Sequence, residues 1–177
     1  LRIISGKYRG RLIHPPKGFE ARPTTDYAKE SLFNILANRI DFEGLQVLDL
    51  FAGSGGIGFE FASRGAVQVD SVELNYLHGE FIKQIARELQ LPLKLIKANA
   101  FSFLKKPGKS YDVVFADPPY NLNNIATLPE LVLSGNWLKT GGFFILEHSS
   151  AYSFENQEGF VEMRNYGSVH FSFFEKK

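Results

Sequence analysis

Val47-Leu48-Asp49-Leu50-Phe51-Ala52-Gly53-Ser54-Gly55-Gly56-Ile57-Gly58 runs from an apolar stretch through a glycine-rich turn into amphipathic sequence. Val47 to Phe51 reads as a buried strand and Gly56 to Arg64 as the helix that follows it. The glycines permit a tight turn and let a ligand approach the backbone where a side chain would block it. The helix start beyond them offers unpaired N–H groups and the positive end of a dipole. Glu73 stands twenty positions after Gly53, at the end of the next strand. A carboxylate there accepts hydrogen bonds from ribose hydroxyls.

Downstream, strand and helix alternate. Val67 to Leu74 is a second strand, about 75–90 a helix, Leu93 to Ile96 a third strand, and Tyr111 to Ala116 a fourth. Phe143 to Leu146 forms a fifth after Gly141-Gly142, and Phe160 to Tyr166 with Val169 to Phe174 forms a hairpin about Gly167-Ser168. This alternation predicts an α/β fold with a mostly parallel, doubly wound sheet. Upstream, Arg22-Pro23-Thr24-Thr25-Asp26 supplies a turn and capping residues for a helix over about 26–39, with Ala28, Leu32, Ile35 and Leu36 on one face. Leu1 to Ser5 and Tyr8 to Ile13 flank Gly6-Lys7 as a β-hairpin or bulged strand pair, which Pro15-Pro16-Lys17-Gly18 ends. The expected division is a basic hairpin and linker over 1–22 and a main domain over 23–177.

The chain has 177 residues, 44% hydrophobic and 22% charged, as expected of one globular domain with a full core. The absence of cysteine excludes disulfides and thiolate sites. His14, His78, His148 and His170 show no ligand spacing, so no metal site is expected. With no bilayer-length apolar stretch and no signal-peptide pattern, a cytoplasmic location is expected, and a monomer is the default state. The net charge of +1 conceals an asymmetry: Arg2, Lys7, Arg9, Arg11, Lys17 and Arg22 face only Glu20 within residues 1–22. The remainder carries 14 basic and 18 acidic residues. A basic segment on a mildly acidic body suggests a polyanion partner, nucleic acid first.

Gly53, Gly55 and Gly58 satisfy G-x-G-x-x-G, which leaves a nicotinamide or flavin dinucleotide in consideration. Two features favour S-adenosylmethionine. Asp49 sits inside the strand end, placed to meet an ammonium group that a dinucleotide lacks. There is also no second nucleotide-binding half in a chain of this length. Phe51, Gly53 and Gly55 complete the loop side of this site, and Asn99-Ala100 follows the third strand, where an asparagine either hydrogen-bonds an adenine ring or is an exposed loop residue. Asp117-Pro118-Pro119-Tyr120 follows the fourth strand, at the sheet edge where open α/β proteins bind ligands. An acid, two prolines that stiffen the turn and an aromatic ring suit a planar amine.

The glycine loop, Glu73 and Asp117-Pro118-Pro119-Tyr120 together resemble the class I methyltransferases that modify exocyclic amines. With Arg2-Ile3-Ile4-Ser5-Gly6-Lys7-Tyr8-Arg9-Gly10-Arg11 and Arg22-Pro23-Thr24-Thr25-Asp26, nearly the whole chain is similar to the bacterial 16S rRNA guanine-N2 methyltransferase family, the RsmD family. The resemblance implies a Rossmann-like seven-stranded sheet with a reversed last strand and S-adenosylmethionine as donor. It further implies methylation of one guanine N2 amine in 16S rRNA or the assembling small ribosomal subunit. Asn99 departs from the acid common at that position in the wider class.

Under this reading Asp117 and the Pro118 carbonyl hold the amine, and Tyr120 stacks on an unstacked base. Lys7, Arg9, Arg11 and Arg22 grip phosphates. Thr24 and Thr25 either close the pocket wall with Arg22 or cap the helix. An adenine-N6 methyltransferase on DNA or RNA, a protein-glutamine methyltransferase and a non-catalytic RNA-binding assembly module stand as alternatives, since the acid–proline turn does not encode which amine it holds.

Overall fold

The computed structural model describes residues 1–20 and 24–177. Its elements are α1 (Asp26–Ala37), β1 (Gln46–Leu50), α2 (Gly56–Ser63), β2 (Gln68–Glu73), α3 (Tyr76–Glu88), β3 (Leu93–Lys97), α4 (Ala100–Leu104), β4 (Tyr111–Ala116), a 3₁₀ turn at Ile125–Thr127, α5 (Leu128–Ser134), β5 (Leu138–His148), β6 (Phe160–Tyr166) and β7 (Val169–Glu175). The strands form one seven-stranded sheet in the order β3-β2-β1-β4-β5-β7-β6. β1 to β5 are parallel, and β7 is inserted antiparallel between β5 and β6. The expected reversed last strand is therefore present, and the class I methyltransferase sheet is complete.

Strand side chains alternate between two buried faces, so the parallel strands read as nearly continuous apolar runs. Val47, Val69, Val113, Phe115 and Ile145 join α1, α2 and α3 in one core. Leu48, Leu50, Val72, Val114, Ala116, Phe144 and Leu146 join α4 and α5 in the other. β5 begins earlier than its apolar run suggests: Leu138 pairs with Tyr111, the chain then bulges through Gly141-Gly142, and pairing resumes at Val113 with Phe143. The helices α4 and α5 go beyond the sequence expectation. Ala100 with Leu104, and Leu128 with Val132, bury four residues apart, a helical spacing in segments too short to stand out.

The amino-terminal hairpin is shorter than expected. Its ladder is a single antiparallel bridge, Arg2 to Leu12, with Ile3, Gly10 and Ile13 joining the arms through backbone bonds. The reason is where the other backbone donors go. The N–H groups of Ile4 and Ser5 donate to Glu60 Oε2 and Oε1 at 2.9 and 3.0 Å, and those of Lys7 and Tyr8 donate to Ser63 O and Oγ. The segment thus spends its donors on α2. Gly6 lies so close to Ser63 that a Cβ would sit 1.9 Å from its carbonyl oxygen.

Glu60 is fully buried, and it also faces Arg64 at 2.9 Å and Lys29 at 3.7 Å. Lys29, equally buried, donates to the Arg2 carbonyl, and burial lowers its pKa. Removing one partner of a buried pair strands the other, at a cost of about 3–5 kcal/mol. Glu60→Ala should therefore lower the unfolding free energy in urea by about that amount and expose the amides of Ile4 and Ser5 to hydrogen exchange. A loss below about 1 kcal/mol, the scale of a surface pair, would mean that the tether is peripheral.

Candidate active site at the carboxyl edge of the sheet

Parallel register brings four positions level. Leu50 pairs with Val72 and with Ala116, and Ala116 pairs with Leu146. One residue further on, Glu73, Phe51, Asp117 and Glu147 stand in a row across the carboxyl ends of β2, β1, β4 and β5. Neighbouring strands lie about 4.8 Å apart, so Asp117 and Glu147 are adjacent and Glu73 is two strands away from Asp117. Asp49, Asp117 and Glu147 share the parity of Val47, Phe115 and Ile145 and face the α1–α2–α3 side. The strand order reverses between β1 and β4, the point at which open α/β sheets leave a crevice.

The donor half of this crevice is built by the glycine loop. Gly55 caps α2 at φ +81, and a Cβ there would lie 2.7 Å from the Phe59 ring. Gly58 packs so tightly on β1 and β2 that a Cβ would meet Ser71 Oγ at 3.0 Å and Asp49 Oδ2 at 3.3 Å. Gly53 N donates to Glu73 Oε2 and Asn75 N to Glu73 Oε1, both at 2.7 Å, which holds that carboxylate at the crevice. Phe51 takes a left-handed φ of 59° and packs edge-on against Phe101. Such strain in a non-glycine residue is found where function over-determines the backbone.

Asp49 is 1% exposed, and its Oδ2 has no hydrogen-bond partner among the described residues. Burial raises its pKa well above the carboxylate range, Asp117 and Glu73 add to the rise, and the Gly58 N–H opposes it. Asn99 is exposed and caps α4, with Oδ1 accepting from Ser102 N at 3.1 Å, while Ala100 is buried behind it.

In the acceptor half, Pro118 is buried, Pro119 exposed and Tyr120 50% exposed. The two threonines separate the two expectations placed on them. Thr25 caps α1, its Oγ1 accepting from Ala28 N at 3.2 Å. Thr24 instead turns its side chain toward Asp117 and Glu147, where its hydroxyl favours the charged form of each carboxyl. Burial pushes Asp117 up to about 7, with the Thr24 contact opposing. Burial and the neighbouring Asp117 push Glu147 up to about 8. Asp117 keeps some contact with solvent, whereas Glu147 is buried. Glu147 was missed in the sequence, although a lone acid inside Phe143-Phe144-Ile145-Leu146-Glu147-His148 is a signal in itself, since buried acids demand partners.

The basic residues lie apart from this row. Leu1 sits against Gly56 at the start of α2, and Lys7 reaches Ser63 at its end. The arm therefore runs down α2 away from the crevice, and Lys7 and Arg9 lie about 10 Å beyond Leu1 at 1.5 Å per helical residue. Lys7, Arg9 and Arg11 are exposed. Arg22 lies outside the described residues.

A family model described as Conserved hypothetical protein 95 matches residues 1–175. The chain belongs to that family, the RsmD family of methyltransferases. Ribosomal RNA small subunit methyltransferase D of Buchnera aphidicola is 36% identical over 151 residues, covering 85% of this chain and 76% of that protein. The Escherichia coli protein yhhF superposes with a TM-score of 0.87 at 29% identity, covering 100% of this chain and 98% of that one. At 22% identity and a TM-score of 0.71, the Thermus thermophilus 16S rRNA N2 G1207 methyltransferase, solved with AdoMet and guanosine, shares the fold over 90% of this chain and 46% of that one. AdoMet, the S-adenosylmethionine donor expected from the sequence, is a ligand of that last structure. The crevice suits that donor: an orphaned buried carboxylate oxygen and three acids face a molecule with two cationic centres.

Acids whose pKa is higher folded than unfolded contribute most stability below the unfolded value and lose it as pH rises through the folded value. The urea midpoint of the ligand-free protein should therefore fall as pH rises from about 4, the unfolded carboxylate range, and level off above about 7 for Asp117 and about 8 for Glu147. Glu147→Gln should flatten the upper part of that fall. Parallel pH profiles for the two proteins would contradict the buried-pair assignment.

Proposed function

We propose that this protein transfers a methyl group from S-adenosylmethionine to the N2 amine of a guanine in 16S rRNA, within the assembling small ribosomal subunit. The observation that carries the proposal is the row Glu73, Phe51, Asp117, Glu147 along one switch point, which supports a donor half on one side and an amine-holding half on the other. The relatives named for small-subunit rRNA and the basic arm support RNA as the acceptor.

On the donor side, Asp49 holds the ammonium group, Glu73 accepts from the ribose hydroxyls, and the Gly53–Gly55 loop lets the ligand approach the backbone. Phe51 and Ala100 wall the adenine, and Asn99 donates to its ring. The donor supplies an electrophilic methyl group on a sulfonium that leaves as a neutral thioether. On the acceptor side, the N2 lone pair is delocalised into the guanine ring and is a weak nucleophile. The Asp117 carboxylate and the Pro118 carbonyl accept its two N–H bonds and turn the lone pair toward the methyl group, a positioning and electrostatic effect. As the N–C bond forms and the S–C bond breaks, N2 gains positive charge, and its proton passes to Asp117. Tyr120 stacks on the flipped base, an interaction worth about 1–3 kcal/mol. Lys7, Arg9, Arg11 and Arg22 hold phosphates of flanking nucleotides, which supplies affinity with little sequence choice.

Methyl transfer from labelled donor to rRNA of cells lacking the enzyme, followed by nucleoside analysis, tests the whole reading. N2-methylguanosine supports it, N6-methyladenosine points to the adenine alternative, and no label to a binding module. Asp117→Ala should slow transfer by about 100- to 1,000-fold while donor affinity, by calorimetry, changes less than about threefold. Full turnover in that variant would remove Asp117 from the chemistry. Replacing Arg9 and Arg11 with alanine should weaken RNA binding and reduce the slope of log K against log salt by about 0.7–0.9 for each phosphate no longer neutralised. An unchanged slope would leave the arm a structural role only.

A further inference from the structure

Glu147 is the buried acid that the chemistry above leaves unused. It is 5% exposed, and its Oε2 has no hydrogen-bond partner among the described residues. A charged acceptor in such a place is costly, so the free protein keeps the carboxyl protonated until a donor arrives to meet it. The groups around it define where that donor comes from. On β7, Phe171 pairs with Glu147 in register and closes that side with an apolar ring. On β4, Asp117 stands level with it, and ahead of α1 the Thr24 hydroxyl favours the charged form of both carboxyls. Thr24 has one proton to donate, so it cannot satisfy four carboxyl oxygens. The open direction is the crevice over Asp117, where the amine-bearing base is held.

An ionised carboxylate only accepts hydrogen bonds. Beside N2, guanine carries a second donor, N1–H. Adenine presents N1 there as an acceptor, beside its N6 amine. Two adjacent carboxylates therefore match the N1–H and N2–H edge of guanine and oppose the edge of adenine. We propose that Glu147 accepts the N1–H of the target guanine while Asp117 holds N2, so that Glu147 makes the site specific for guanine. This rests on guanine N2 being the methylated atom. It supplies what Asp117-Pro118-Pro119-Tyr120 lacks, a reason for one amine over the other. The elevated pKa of Glu147 is consistent with a carboxyl held ready for a donor that the free protein does not contain. On binding guanine, the two N–H donors stabilise the ionised pair and a proton is released.

The test compares rRNA carrying guanine at the mapped target position with rRNA carrying 2-aminopurine there. The analogue keeps the N2 amine but presents N1 as an acceptor. Assays are run above about pH 8, the value to which Glu147 is pushed, so that the carboxyl is ionised. The wild-type protein should prefer guanine by about tenfold or more in kcat/KM, the discrimination expected of a well-made base contact. Glu147→Gln should compress the preference to within about threefold, because an amide can either accept from N1–H or donate to N1. If the variant turns over too slowly to give a ratio, the affinities of its S-adenosylhomocysteine-loaded form for the two RNAs give the same comparison. N2-methylguanosine from the wild type together with an unchanged preference in Glu147→Gln overturns the role of Glu147 and leaves the enzyme assignment standing. Label in any other nucleoside overturns the assignment itself, and this role with it.

Discussion

A slip of one residue between β4 and β5 would turn Glu147 to the opposite face of the sheet and dissolve the pair it makes with Asp117. Everything at the active edge depends on that register. It is held along both buried faces at once, because Val113 and Phe115 with Ile145 fill one core while Val114 and Ala116 with Phe144 and Leu146 fill the other. A slip would cost both cores their packing. The acids sit one residue beyond these layers, so the apolar strands act as a gauge that sets four strand ends to one height. Charge is brought together where it repels because hydrophobic burial below leaves it no other position.

The amino-terminal arm is placed by a different force. Its ladder is too short to stand alone, and it is fastened by a carboxylate buried in α2 that accepts from two arm amides and neutralises Lys29. Ile3 and Ile13 then share the core of α1 and α2, so the arm travels with the catalytic body as one packed unit. Its exposed charges Lys7 and Arg9 lie down the flank of α2 and not at the crevice. Such placement suits contact with phosphates several ångströms from a base that has left its stack, and keeps cations away from the acids that hold the amine.

Much of this was legible in the chain because the signals were local. Glycines followed by a helix, an acid after the next strand and a proline turn after the fourth are contiguous patterns, and β4 and β6 span the residues that the sequence pattern assigns them. What was missed is non-local. Glu147 means little as a single acid in an apolar strand until register sets it beside Asp117. Thr24 and Thr25 are equivalent capping candidates until packing gives one to α1 and the other to the carboxyl pair. Glu60 reads as an ordinary helical acid, and only the path of residues 1–8 along α2 reveals why it is buried. The two short helices escaped because one turn of periodicity is too little signal.

Asp49, Glu73, Asp117 and Glu147 also explain how one crevice serves two ligands in sequence. Asp49 is pushed upward by burial first and then by the charges of Asp117 and Glu73, so a cation beside it would favour its ionised form. On the proposed reading, a methyl donor with a sulfonium and an ammonium would be drawn to these carboxylates more strongly than the thioether it leaves, through charge alone. On the same reading the base would enter neutral, gain positive charge as the bond forms and meet acids already in place. The acids that make the empty protein less stable at high pH are thus arranged to favour the donor before the reaction and the charged amine during it.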